Sequence, residues 1–298
     1  MDYEHFGLVM LHFLPITSNG RFRLCMDRTN WNFGSVSINF LVITVYTQGF
    51  GIPIWFDLLD NKGGNSNTME RINALDQCLE WLGINRVECF IADREFIGEE
   101  WIKYILANHL KFYIRVRQNQ WVNIEGKSMQ IINLLKDRSK KYEFDNVGIF
   151  GTFLSMGLKY LPLKQEILAV VTNTFGNMAL EEYEKRWSEE VAFQALKGRG
   201  FNLEDTHLQD FKRLKKLFAI CSLALAICYH LGIWRDLYEK PIPTKNHGYK
   251  ENSFFRYGLE YIRSYIKFDF RDNKPFKYLQ ELTKHNFKQL FQRTKIVP

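Results

Sequence analysis

The chain has few cysteines, and no two of them are spaced as a metal-binding or redox pair. Cys25, Cys78, Cys89, Cys221 and Cys228 are the full set of five, with no CxxC and one thiol necessarily left over. That pattern argues against a disulfide framework and against zinc, and it reads as reduced packing residues of a cytosolic protein. No charged, apolar and small-residue succession opens the sequence, so no secretory signal is expected. Internal repeats and low-complexity tracts are missing too. Acidic residues are scarce in the last third. From Lys197 onward 20 Lys/Arg face 10 Asp/Glu, whereas the first 196 residues hold 20 against 23. The basic excess is therefore C-terminal, and aromatics interleave with it (Phe254, Phe255, Tyr257, Tyr261, Tyr265). Contact with a phosphate backbone and a solvated face of a helical bundle both fit that pattern.

What is present in quantity is apolar and aromatic surface, 46% and 15% of 298 residues. Such a chain can bury a large core, as one big domain or two ordinary ones. The run Leu217–Trp234 is borderline for crossing a bilayer; a helix buried in a large domain is the expected reading.

Along the chain, Arg21–Met26 alternates as a strand that delivers Asp27 at its end. Val36–Phe56 is rich in β-branched and aromatic residues and breaks at Gln48–Gly51, as two adjacent strands would. Asn67 or Thr68 caps a helix that runs to Leu82 and stops at Gly83. Val87–Ala92 is a short buried strand ending in Asp93. A helix over Gly98–Leu110 and a strand over Phe112–Arg117 follow. This order matches an RNase H-like fold, a five-stranded mixed α/β sheet covered by helices. Residues 118–162 read as a β-rich insertion, and Glu166–Thr172 as another buried strand. Helices are expected over Met178–Lys197, Phe211–Tyr238, Phe254–Phe268 and Phe276–Phe291. The domain reading is a short lead (1–20), a catalytic domain (21–238) and a basic helical region (239–298).

The helix over 178–197 carries an unusual stripe. Tyr183, Arg186, Glu190 and Lys197 are separated by 3, 4 and 7 residues, which at about 100° per residue returns them to one face. An acid flanked by two cations and a phenol is an odd choice for a core; it suits a metal ion held beside a phosphodiester. Asp27 and Asp93 end neighbouring strands in an RNase H-like sheet, and a helix crossing that sheet can bring Glu190 to them. Clustered carboxylates without Cys or His suit Mg²⁺ or Mn²⁺. Two such ions would support in-line displacement at phosphorus. Glu189 is the rival third acid, but it lies about 100° off the stripe.

The Tyr-x2-Arg-x3-Glu-x6-Lys signature, the Asp27-Arg-Thr-Asn-Trp segment and Ala-Asp93-Arg-Glu-Phe together resemble the DDE transposases of bacterial insertion sequences, specifically the insertion sequence 4 family. The resemblance spans roughly Arg21 to Tyr238 and includes the insertion between the second and third acids. It implies that Asp27, Asp93 and Glu190 form the catalytic, metal-binding triad. It implies that Tyr183, Arg186 and Lys197 contact phosphates of double-stranded DNA near the transposon end. The implied reaction is nicking of the end, then attack by the freed 3′-OH, by a homodimer on paired ends in the bacterial cytoplasm. Such proteins usually carry a helical N-terminal domain that recognises the terminal repeat. Only 26 residues precede Asp27, so the expectation is a copy lacking it. An RNase H-like nuclease and a catalytically idle remnant that binds DNA or a full-length partner are the alternative readings.

Overall fold

The computed structural model describes residues 3–14, 20–33, 36–47, 49–59, 64–246, 248, 250–268, 273–281 and 283. A first helix, α1 (Tyr3–Leu11), precedes three consecutive antiparallel strands, β1 (Phe22–Phe33), β2 (Val36–Thr47) and β3 (Phe50–Leu58). Helix α2 (Thr68–Leu82) follows. Asn67 accepts from the Glu70 amide while the Glu70 carboxylate accepts from the Asn67 amide, a reciprocal cap that satisfies two otherwise unpaired donors. Gly83, at φ +78°, ends it. Strand β4 (Val87–Ala92), helix α3 (Glu99–Ala107) and strand β5 (Phe112–Val116) complete the central unit.

In the spatial order β3-β2-β1-β4-β5, β2 alone is reversed; β1, β3, β4 and β5 run in one direction. This is the RNase H-like arrangement read from the sequence. Residues Asn39 to Val45 of β2 are buried without a break, because both faces of the sheet are covered here.

Two expectations about the sheet need correction. Asp27 does not end its strand, for β1 continues to Phe33 in a hairpin with β2. What stops at this level is the pairing with β4, whose last partners are Met26 and Ala92. The sheet is also larger than five strands. The insertion contributes β6 (Trp121–Ile124), β7 (Lys127–Gln130), β8 (Tyr142–Ile149) and β9 (Thr152–Leu161), and β9 pairs with β10 (Glu166–Thr172), which lies against β5. The insertion thus extends one ten-stranded sheet. An open edge on β10 offers a row of unpaired amides and carbonyls, and β9 takes them up.

The helix expected over 178–197 is two helices, α4 (Gly176–Glu184) and α5 (Trp187–Lys197). Between them Lys185, Arg186, Ser188 and Glu189 donate to carbonyls three residues back, a tightened turn that interrupts the regular ladder. Helix α6 (Phe211–Tyr238) takes the apolar run. It is the one helix among the described residues long and apolar enough to cross a membrane, and 67% of its apolar window is buried within the fold. Phe218 stacks on Phe40 with centroids 4.5 Å apart and lies 4.7 Å from Phe56. Helix α7 (Phe254–Phe268) crosses α6 at close range: a Cβ on Gly232 would lie 1.8 Å from the Phe254 carbonyl, and one on Gly258 1.8 Å from that of Cys228. Of the last expected helix, residues 274–281 are helical, and its end beyond 283 lies outside the described residues.

Candidate active site

The register of β1 on β4 builds the site. Met26 and Ala92 are partners in parallel strands, so the residues that follow them, Asp27 and Asp93, emerge side by side where that ladder ends. Each carboxylate is steadied by the next amide: Asp27 Oδ1 accepts from Arg28 N at 2.8 Å, and Asp93 Oδ1 from Arg94 N at 2.7 Å.

The turn between α4 and α5 brings the third component. Tyr183 Oη donates to Asp93 Oδ1 at 3.0 Å, and Arg186 Nε donates to Tyr183 Oη at 3.1 Å. The same guanidinium donates from Nη1 to Asp27 Oδ2 at 2.7 Å and from Nη2 to Glu190 Oε1 at 2.5 Å. Five of the six residues named from sequence are therefore one hydrogen-bonded network: Asp27, Asp93, Tyr183, Arg186 and Glu190. Arg186 is its hub, buried with 10% of its side chain exposed, while Glu190 keeps 31%. Lys197 is not part of it; its ammonium donates to the Asn30 carbonyl at 2.8 Å and pairs with Glu204 at 2.9 Å.

Glu189 and Glu190 occupy opposite environments. Glu189 is fully buried, its Oε1 accepts from Thr44 Oγ1 at 3.1 Å, and its Oε2 has no hydrogen-bond partner among the described residues. Burial, reinforced by the charge of Asp27, pushes its carboxyl well above the usual range. It lies beneath the site, where burial favours its protonated form.

Burial also pushes Asp27 up to about 7, against the pull of Arg186. For Asp93 burial acts in the same upward sense, but Arg186, the Arg94 amide, Arg115 and the Tyr183 hydroxyl together hold it below its ordinary value. The two aspartates are thus electrostatically unequal, which is how one site keeps one acid ionised while its neighbour is poised near neutrality.

Two supporting cations escape notice in the sequence. Arg115 lies 3.9 Å from Asp93 and 2.8 Å from Glu166. A charged residue inside the apolar strand Phe-Tyr-Ile-Arg-Val was the available signal. Arg28 forks onto Glu95, with Nη2 to Oε2 at 2.6 Å, and fixes the segment just beyond each aspartate. Nothing in the spacing of Arg28 and Glu95 links them before the strands are paired.

Among the described residues no three or more His, Cys, Asp or Glu side chains converge as a metal cage, because Arg186 stands between Asp27 and Glu190. The donor chemistry is nevertheless that of a hard divalent cation: carboxylate oxygens from Asp27 and Asp93, where the β1–β4 ladder ends, and from Glu190 on α5, with Arg186 as the counter-charge between them.

The sequence description "Transposase DDE domain" matches residues 23–227, more than two thirds of the chain. The chain belongs to the DDE transposase family. No curated protein matches this chain. Among solved structures, this family member is similar to a piggyBac transposase in a synaptic complex with hairpin DNA, at 12% identity and a TM-score of 0.39. That alignment covers 89% of this chain and 57% of the piggyBac chain, so the DDE chain here spans little more than half of that protein's length. Human ENDOV is similar at 10% identity and a TM-score of 0.32, over 72% of this chain and 88% of the other. Neither likeness is close enough to bear on the site.

Proposed function

We propose that this protein is a transposase that cuts and joins DNA strands at the ends of an insertion sequence, with Asp27, Asp93 and Glu190 as its catalytic carboxylates. The observation that carries the reading is the single network in which the two aspartates at the end of the β1–β4 ladder are bridged to a helix glutamate through Arg186 and Tyr183. Membership of the DDE family supports it from an independent direction.

In this reading Asp27, Asp93 and Glu190 would hold one or two Mg²⁺ or Mn²⁺ ions once Arg186 withdraws from Asp27 and Glu190. Such ions supply activation of a water or 3′-OH and stabilisation of the leaving oxygen. The chain's own residues then do the rest. Arg186, released from Asp27 and Glu190, has a planar fork of donors suited to a phosphate beside the scissile bond. Tyr183 keeps Asp93 oriented, and Arg115 keeps it ionised. Buried Glu189 ties α5 to β2 through Thr44, and so fixes the height of Glu190 over the sheet. Lys197, tethered to the Asn30 carbonyl and paired with Glu204, would reach double-stranded DNA only by leaving Glu204.

The insertion sequence 4 assignment rests on the Tyr-Arg-Glu-Lys spacing. With it come a homodimer on paired ends, a catalytic domain over 21–238 and a bacterial cytoplasmic setting.

The test is supercoiled plasmid incubated with Mn²⁺ and wild type, Asp27→Ala or Glu190→Ala. Nicking by the wild type alone supports the reading, and joined products distinguish a transposase from a nuclease. Equal nicking by all three would sink the site assignment.

A further inference from the structure

Strand β1 presents Arg23, Cys25 and Asp27 in turn on the sheet face that α4 covers, since every second residue of a strand shares a face. Cys25 is buried there with Ala179, Leu180 and Tyr183, whereas Leu24 and Met26 belong to the core on the other side. The two charged members of that row each meet the elbow between α4 and α5. Arg23 donates from Nε to Glu182 Oε2 at 2.9 Å and from Nη2 to Glu182 Oε1 at 3.5 Å. Asp27 accepts from Arg186 at 2.7 Å. Both pairs join residues 159 apart in the chain, so four residues of strand are matched by four residues of elbow. The order of charge is crossed: cation then acid along β1, acid then cation along the elbow. Sliding the elbow along the strand would carry Glu182 toward Asp27 or Arg186 toward Arg23, and like charges would meet in either case.

Glu182 is also where the tightened turn begins. Its carbonyl accepts from the Lys185 amide at 3.2 Å, and its carboxylate accepts from the Lys185 ammonium at 2.5 Å. The turn is thus closed through backbone and side chain at one residue. The Glu182 side chain keeps only 9% exposure. Burial opposes its charge, yet Arg23 and Lys185 hold the carboxyl below its usual range. Glu184 pairs with Lys159 of β9, but with 57% of its side chain exposed that pair is screened by water and worth little. The buried tie is the one to Arg23. It lies one residue from Tyr183, whose hydroxyl reaches Asp93, and four from Arg186, which holds Asp27.

We infer that Arg23 and Glu182 are positioning residues: their ion pair sets the register of the elbow on β1, and so places Tyr183 at Asp93 and Arg186 at Asp27. Among the described residues neither makes a hydrogen bond or ion pair with Asp27, Asp93 or Glu190; they act through the two residues that do. The segment Tyr183–Trp187 holds no Gly or Pro to fix a bend by itself, so the direction of the elbow is set by what it is tied to. The part of this pair in the reaction rests on the strand-cutting activity proposed above; its hold on the elbow does not.

The experiment has two arms. The first is a double-mutant cycle of urea midpoints in EDTA on wild type, Arg23→Gln, Arg186→Gln and the double variant. Two pairs that share no partner and act independently contribute additively. If one positions the other, the midpoint loss caused by Arg23→Gln should shrink to less than half in the Arg186→Gln background, because an elbow already detached from Asp27 has little left to be positioned. An equal or larger loss there would overturn the inference. The second arm needs no double variant. Mn²⁺-dependent plasmid nicking is followed at saturating Mn²⁺, well below every unfolding midpoint, for wild type, Arg23→Gln and Arg23→Lys. Arg23→Gln should slow nicking by about ten- to hundred-fold, the cost of a small misplacement made far from the chemistry. Arg23→Lys, which keeps the charge opposite Glu182, should recover most of the rate. A pair that only adds stability would leave folded Arg23→Gln nicking at the wild-type rate, and that result overturns the inference. A wild type that does not nick would count against the strand-cutting reading alone, and the cycle would then decide the positioning by itself.

Discussion

Arg186 and Asp27 lie 159 residues apart in the chain, yet the guanidinium meets the carboxylate at 2.7 Å. The same guanidinium holds Glu190 at 2.5 Å and touches the Tyr183 hydroxyl that reaches Asp93. One cation thus satisfies the acids that sequence reasoning reserved for a metal. Without such a counter-charge, acids this close would repel or take up protons. The network is a resting arrangement in which Arg186 does for folding what a divalent ion would do for chemistry.

Arg186→Ala leaves those acids unpaired in a partly buried site, and removing one partner of such a pair typically costs about 3–5 kcal/mol. The variant should melt well below wild type in EDTA and recover more stability than wild type on addition of Mn²⁺, because no side chain then competes for the carboxylates. Arg186→Lys should fall between, since an ammonium cannot fork across Asp27 and Glu190. Thermal melts with and without Mn²⁺ decide this; an identical Mn²⁺ response in all three proteins would remove the competition argument.

Glu189 and Glu190 can be told apart by removing charge without removing shape. Glu189 is buried, which favours its protonated form, so Glu189→Gln should leave Mn²⁺-dependent plasmid nicking within a few-fold of wild type. Glu189→Ala should lose stability by roughly 1–3 kcal/mol through the orphaned Thr44 hydroxyl and the space left behind. Glu190→Gln should abolish nicking with little effect on the melt. The reverse pattern would make Glu189 the third acid.

Much of this was legible in the sequence, and the failures are instructive. Asp27 and Asp93 could be found because each follows an apolar stretch of strand, and strand order makes those strands neighbours. Glu190 could be preferred over Glu189 because a period of about 100° per residue separates adjacent positions. The break at Lys185 and Arg186 was invisible, for Tyr-Glu-Lys-Arg-Trp holds no Gly or Pro and nothing in it disfavours a helix. Tertiary contacts made by Tyr183 and Arg186 override local propensity there. Lys197 sits on the predicted stripe yet is drawn aside by Asn30 and Glu204, contacts between distant segments that no local period encodes. The insertion's strands were found, but not their continuity with the sheet, since edge pairing between β9 and β10 leaves no mark in either strand alone.

Asp27 gives the site a pH dependence with a definite sign. Its folded value of about 7 stands above the unfolded carboxylate value, so the folded state binds the extra proton between about pH 4 and 7. The stability this contributes is complete below about pH 4 and is lost as pH rises through 7; its size is at most about 4 kcal/mol. Asp27→Asn should abolish that decline in urea melts recorded across the window. Mn²⁺-linked stabilisation has the opposite sense, growing as pH rises through 7, because the cation needs the ionised carboxylate. A wild-type profile that matches Asp27→Asn from pH 4 to 7 would contradict both statements.

His230 sets the acid limit of the fold. It lies in α6 with its ring nitrogen donating to the Phe13 carbonyl at 2.5 Å, and burial pushes its value down to about 4. The unfolded imidazole titrates near 6.5. Between these values the unfolded chain binds a proton that the folded chain refuses, so stability falls as pH drops from about 6.5 to 4, by at most about 3 kcal/mol. His230→Gln keeps a donor for Phe13 and cannot be protonated. It should lie below wild type at pH 7.5 and lose less stability on acidification. Parallel curves for the two proteins from pH 7.5 to 4.5 would show that the packing of α6 against the segment after α1 does not depend on a neutral imidazole.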